Sequence, residues 1–272
     1  MTIPAMSTPL AAARRLATPQ SFRALSIASV VLGIVVWQLA AMVIADPVLL
    51  PTPIMTAAVL VRYLTTPYPS PGETLIGHAL VSLGRVVAGF AIGSVIGVAV
   101  GAMMAAFPKF RAMVDPFIEI TRPLPPLAFV PVLIVWFGIG ETPKIVLIAA
   151  GVVPVMAIST AAGLAGVPEE MLNAARCLGA SNWYAMVHVR IRAAASPIIT
   201  GMRLSIGLSW TSIVAVEMIA ATSGLGFVIL QAGQFLNTKL IFAGILIIAG
   251  LGLAIDAALR ALQRSLDPTM RK

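Results

Sequence analysis

The chain has 272 residues, 59% of them apolar and only 10% charged, with a formal net charge of +8. A soluble domain carries about 25% charged residues, and the ten acids and eighteen bases here are too few to clothe one. This excludes a soluble globular protein, and the apolar content excludes a disordered one. An integral membrane protein is left.

Residues 24–45 contain no charge over 22 positions, roughly 33 Å of helix against a hydrocarbon core of about 30 Å. Arg14, Arg15 and Arg23 precede it as they would a signal peptide, but a secretory apolar region runs only about 7–15 residues. The run is therefore read as the first span. Asp46 to Gly77 follows with six prolines and is read as an external cap, with a short surface helix over 53–64. Residues 86–107 and 145–167 are further uncharged runs of spanning length. Between them, 123–140 is apolar but holds Pro123, Pro125, Pro126 and Pro131, which predicts a bent or broken helix. Residues 196–220 form a span interrupted by Arg203 and Glu217, and 240–259 make the last, with Asp256 near its end. The fold class is all-α and membrane-embedded, with about six spans. The expected organisation is a cytosolic arm (1–23), first span and cap (24–76), a core (77–262) containing a cytosolic loop (163–195), and a cytosolic tail (263–272).

With the N-terminus inside, thirteen Lys/Arg fall on one side and three (Arg62, Lys144, Lys239) on the other, Arg85 and Arg203 lying in or near the membrane. The positive-inside rule then puts both termini in the cytoplasm. The net positive charge is topological, and no basic run with interleaved aromatics points to nucleic acid.

Gly89, Gly93, Gly97 and Gly101 recur at every fourth residue of the second span. Such a stripe lets another helix approach closely. Catalytic signals are scarce. None of the four lysines follows a glycine as a phosphate-cradling loop requires. No metal site is expected, because the topology separates His78 from His188, and both are read as packing histidines. Cys177 is the only cysteine, so no intramolecular disulfide forms.

Arg85, Arg203 and Glu217 are costly in a membrane, at roughly 2.5–3.5 kcal/mol each on insertion scales. Arg203 and Glu217 share a helix face but stand about 21 Å apart along it, too far to pair. Two readings remain for the three charges: pairing with other spans, or lining a solute route.

The loop 163–195 carries the most local detail. Pro168 precedes Glu169 and Glu170, which suit the positive end of a helix dipole. Met171, Ala174, Ala175 and Leu178 fall on one helical face, Gly179 can end that helix in the left-handed region, and Ser181 is a candidate N-cap for a second helix with Trp183, Tyr184, Met186 and Val187. A capped, glycine-broken, amphipathic helix–turn–helix looks like a docking element for a cytosolic partner.

At this point the sequence resembles a known family. Asn173-Ala174-Ala175, Gly179 and Val189-Arg190-Ile191 follow the Glu-Ala-Ala loop of ABC-importer permeases. Further matches resemble the nitrate/sulfonate/taurine/bicarbonate branch. They include the 47–53 segment, Ser82 to Phe90, Asp115-Pro116, Arg122 to Ala128, Trp136 to Glu141, Lys144, Gly201-Met202-Arg203, and Glu217-Met218 with Gly224-Leu225-Gly226. The resemblance covers roughly residues 36–262. It implies the type I importer transmembrane fold in a bacterial plasma membrane and a second permease copy, the likeness favouring a homodimer. It also implies two cytosolic ATPases that carry ATP and Mg in place of any cofactor on this chain, and an external solute-binding protein. The loop would then insert into a groove on the ATPase, with Asn173, Ala174, Ala175, Gly179 and Ser181 at the contact. Asn173 stands where the family usually has Glu, and Arg192 where it usually has Pro, with Pro197 displaced along the chain. Two membrane Arg against one membrane Glu lean toward an anionic solute. The competing reading is a self-contained channel or secondary transporter, which the broken 123–140 segment could mimic, although no matching segment exists in the other half.

Overall fold

A computed structural model describes residues 19–69, 72–121 and 123–266. Helix α1 spans Pro19–Ile44, starting inside the stretch expected to be an arm. Residues 1–18, 70–71, Arg122 and 267–272 lie outside the described residues. The cap helix α2, Pro53–Thr65, starts at a proline in its first turn, and the Thr52 hydroxyl accepts the Met55 N–H, one of the orphan donors of a helix start.

Helix α3, Leu75–Ala106, begins eleven residues before the uncharged run that predicted it. Thr74 caps it, and His78, Ser82 and Arg85 are tolerated inside because each finds a partner. Its glycines define the core. A Cβ on Gly89 would stand 2.6 Å from the Ile148 Cβ, and one on Gly93 2.7 Å from that of Val152, while Gly97 and Gly101 press on Met156 and Thr160. The partner is α6, Thr142–Ala165. The offset is 59 residues at all four rungs (148−89, 152−93, 156−97, 160−101), so α3 and α6 run parallel and in register.

Two consecutive parallel crossings require a return between them. The chain makes it with α4, Pro108–Thr121, and α5, Val130–Phe137, which meet at a 93° bend around a short 3-10 turn, Pro126–Phe129. The third span is thus broken, and it recruits α4 rather than lying within 123–140. Pro123, Pro125 and Pro126 deny the helix N–H donors there.

Beyond α6 come α7 (Glu169–Cys177), α8 (Asn182–Tyr184), a π-helical turn (Ala185–Arg190) and α9 (Ile191–Ala193). Helix α10, Ala195–Ala220, then returns across the bundle, α11 (Leu225–Gln234) is a short helix, and α12 (Thr238–Leu266) crosses back. Gln263 of α12 reaches Ser196 at the start of α10, which fixes the two as antiparallel. Among the described residues, five helices are long and apolar enough to span a membrane, or six with the bent pair. One end of the bundle therefore carries α2, the 45–52 segment and α11 (the cap end). The other carries α7 to α9 (the loop end), together with the start of α1 and the finish of α12. The main core joins Val86, Ile148, Val152, Met156, Ile206, Trp210 and Ile213, and a second cluster under the cap joins Leu75, Leu225, Val228 and Leu240.

Candidate functional site

At the loop end the chain builds a rigid projection. The N–H of Gly179, at φ +86°, donates to the Arg176 carbonyl at 2.9 Å, and that of Ala180 to the Ala175 carbonyl at 3.0 Å. These two bonds close α7 in a Schellman motif. Ser181 then caps α8 by accepting from the Tyr184 N–H. Arg176 clamps the corner, donating to the side-chain oxygens of Asn173 (3.0 Å) and Asn182 (3.1 Å). Arg190 fastens the returning limb, with its Nε donating to the Leu164 carbonyl at the end of α6. Leu172 is the residue of α7 that faces the body. The Met171, Ala174 and Leu178 face points outward, with Leu178 89% exposed, and Trp183 is 77% exposed beyond it. The expected second helix is only one turn before it widens into the π turn, where Tyr184 stacks on His188 at 4.2 Å.

At the cap end lies a charge network. Arg85 of α3 donates to Glu217 of α10 (2.7 Å), to Glu141 ahead of α6 (2.7 Å from Nη2), and to the Ser223 carbonyl (2.7 Å). Lys144 adds a bond to Glu141 at 2.9 Å. The Glu217 side chain is 0% exposed, and its oxygens also accept from the Ser82 hydroxyl and the Gly226 N–H. His78 takes the Gly224 N–H on Nδ1, which leaves Nε2 protonated and donating to the Tyr68 carbonyl. Gly224 sits at φ +116°, and a Cβ there would collide with the Glu217 carboxylate. Two cations meet two carboxylates, so the cluster is internally neutral. Arg85 above all, with Lys144, holds the Glu141 carboxyl down at about 2.

Arg203, farther down α10, pairs with Asp256 of α12 at 2.7 Å, and Asp256 also meets Arg260 at 3.0 Å. The structure thus brings Arg85 and Glu217 together and leaves Arg203 in a separate pair. None of the three lines the apolar cavity of about 620 Å³ that opens among α5, α6 and α10, where Phe129, Leu133, Trp136, Leu147, Pro154 and Leu208 form the walls.

Residues 89–272 match the family model described as a binding-protein-dependent transport system inner membrane component. The chain belongs to the ABC importer permeases. Over 234 residues the permease is 40% identical to the taurine transport system permease protein TauC of Escherichia coli (strain K12), covering 85% of this chain and 84% of that one. It is 34% identical over 235 residues to a putative aliphatic sulfonates transport permease protein, SsuC, of Bacillus subtilis (strain 168), covering 86% and 83%. With the bicarbonate transport system permease protein CmpB of Synechococcus elongatus it shares 35% over 191 residues, covering 70% and 69%. Among solved structures, a MetNI methionine ABC transporter chain in an inward-facing form superposes with a TM-score of 0.55 at 22% identity, covering 68% of this chain and 95% of that one. That likeness establishes the shared fold.

The sequence reading of the permease missed Glu141 as the partner of Arg85, and it counted Lys144 only as a base on the outer side, without the burial and the Glu141 bond that the structure gives it. It also counted an excess of membrane Arg over Glu. The pairing with Glu141 and Asp256 removes that excess, so the charge balance no longer argues for an anion. A lone Glu before a span gives no local sign of its partner. The cue available was Glu141-x-x-Lys144, an i,i+3 pair at a helix start.

Proposed function

We propose that two copies of this permease form the solute pathway of an ATP-driven importer and take their drive from cytosolic ATPases through the 163–195 loop. The observation that carries this is the loop itself. It is stiffened by a Schellman corner and the Arg176 clamp, yet it presents Leu178 and Trp183 to solvent. A surface loop with nothing to hold would not keep large apolar side chains exposed on a rigid mount. The loop end is then cytosolic, in keeping with the thirteen-to-three distribution of bases, and the cap end faces the external binding protein. The permease itself is non-catalytic in this reading, ATP and Mg residing on the partner.

The Asn173 side chain accepts from Arg176 inside the loop rather than pointing away as a free charge. In place of the family's Glu it stiffens the mount, and the ATPase groove it meets would need no cation opposite it. The solute is a small organic or inorganic anion of the sulfonate, nitrate or bicarbonate kind. Relatives named for taurine, aliphatic sulfonates and bicarbonate support the sulfonate and bicarbonate members of that class; the membrane charges do not. Co-purification of the intact permease with its co-encoded ATPase, followed by solute uptake in proteoliposomes, tests the reading. ATP-dependent uptake of a sulfonate is the expected result. Solute flux by the permease alone, without ATPase, would establish a self-contained channel instead.

A further inference from the structure

A second cavity, of about 680 Å³, lies at the cap end between the end of α2, the 47–48 segment and the start of α12. Arg62 and Lys239 both line it, no acidic residue does, and neither cation has a carboxylate partner among the described residues. Tyr63, Thr66, Tyr68, Asn237 and Thr238 are the other polar residues of the wall. The Tyr68 Oη is buried without a hydrogen-bond partner among the described residues. Thr238 holds the wall in place by donating to the Val48 carbonyl at 2.6 Å.

The depth of this cavity follows from α2. The helix has 13 residues, about 20 Å and too short to span. Its buried residue is Thr56, while Ile54, Ala58 and Val61 share an exposed side at helical spacing, with Ile54 74% and Val61 66% exposed. An amphipathic helix in the bilayer interface sinks its apolar face about 5–10 Å into the boundary of headgroups and acyl chains, and the exposed apolar side of α2 suits that position. Arg62 directly follows Val61 and shares the cavity wall with Lys239, so a helix lying at that depth would bring both cations to the level of lipid phosphates. Tyrosine rings are favoured at that level, and Trp37, stacked on Phe242 at 5.3 Å, marks the same end of the bundle by bonding the Pro51 carbonyl.

We propose that this cavity is a binding site for the headgroup of an anionic phospholipid, with Arg62 and Lys239 on its phosphate and the apolar side of α2 against its acyl chains. The inference stands on the membrane fold and is independent of which solute is carried. Both cations attract the net negative charge of an anionic headgroup, whereas the ammonium of a zwitterionic one offsets that attraction, so the pair favours the anionic lipid.

The test uses the purified full-length permease in detergent, titrated with dihexanoyl-phosphatidylglycerol, dihexanoyl-phosphatidylcholine or inorganic phosphate, with thermal unfolding and native mass spectrometry as readouts. The expected result is a stabilising, countable adduct with phosphatidylglycerol that is much weaker with phosphatidylcholine. The double variant Arg62→Ala/Lys239→Ala loses that preference, while Arg62→Lys/Lys239→Arg, which keeps both charges, retains it. An equal effect of the two lipids would overturn the proposal, as would a preference unchanged in the alanine variant. An effect of inorganic phosphate matching that of the anionic lipid would make this a free-oxyanion site instead. With the purified external solute-binding protein added before native mass spectrometry, an alanine variant that keeps its lipid adducts but loses the complex with that protein would make the cavity a protein-docking surface, and the lipid proposal falls.

Discussion

The two ends of the bundle handle polar groups in opposite ways. At the cap end, Arg85, Glu141, Lys144 and Glu217 face one another, and Ser82, His78 and backbone N–H groups take up the remaining valences. At the loop end, Arg176 binds two asparagines beside it in sequence, and the apolar residues stay outside. The first arrangement closes four segments distant in sequence on themselves. The second fixes a local shape and leaves its bonding surface for something else. Substitutions that break the buried core of the cap-end cluster should therefore damage the fold, and substitutions at the loop end should damage only what attaches there.

The largest expected effect is at Glu217. Glu217→Ala leaves Arg85 half-paired in a buried site, and breaking a buried pair from one side costs about 3–5 kcal/mol. Thermal unfolding of the purified protein should show a large drop in stability, and Glu217→Gln, which keeps the acceptor for Ser82, should lose less. A stable Ala variant would mean that the cap end is not closed by charge. Next comes Gly97→Leu, which drives a side chain into Met156 and the Val153 carbonyl. Overpacking of this kind costs about 1–3 kcal/mol, visible as low membrane accumulation. Unchanged accumulation and stability would show that α3 and α6 can separate.

Gly179→Val tests the other end. No atom lies within 4 Å of a Cβ added there, so the cost is the positive φ alone, about 1–2 kcal/mol. The spans do not depend on it, so the variant should insert and unfold near the parent temperature while losing ATPase in pull-down or uncoupling hydrolysis from uptake. Normal coupled uptake would erase the functional contrast between the ends. Arg203→Ala should have a smaller effect on stability, because Asp256 keeps Arg260 and the pair is partly exposed. The complex should assemble, and a fall in uptake would identify Arg203 as a functional charge. Smallest is the pH effect of Glu141. Its carboxyl ionises at about 2 in the fold against 4.5 without its partners, so its contribution is complete above pH 4.5 and fades as pH falls toward 2. With 57% of the side chain exposed, the loss should be a shallow decline in the unfolding temperature. Glu141→Gln should remove that decline.

These regions also differ in how far the residue order alone disclosed them. The spans were legible because lipid demands long uncharged runs, and the glycine stripe was legible because its four-residue spacing is a helix period. The caps of 163–195 were readable too, since Gly179 and Ser181 act on backbone groups within five residues. The cap-end cluster was not, because Arg85 and Glu141 are 56 residues apart and Arg85 and Glu217 are 132 apart. Which helix faces meet decides such pairs, and composition does not carry that information. The start of α3 was misjudged for the same reason, since a charge inside a span reads as a boundary until its partner is known.

The fourfold repeat of the α3–α6 contact has a mechanical consequence. Because the two helices are parallel and locked at the same offset along their shared length, neither can slide without lifting every rung at once. They behave as one doubled beam rather than two rods. Helix α6 has 24 residues, or about 36 Å, and its ends stand at Glu141 and beside the Arg190 anchor. Tilting such a beam by about 10° at one end would sweep the other through roughly 6 Å, on the length from its rise per residue. Rotation, rather than sliding, is the motion this pair can carry across the membrane without loss.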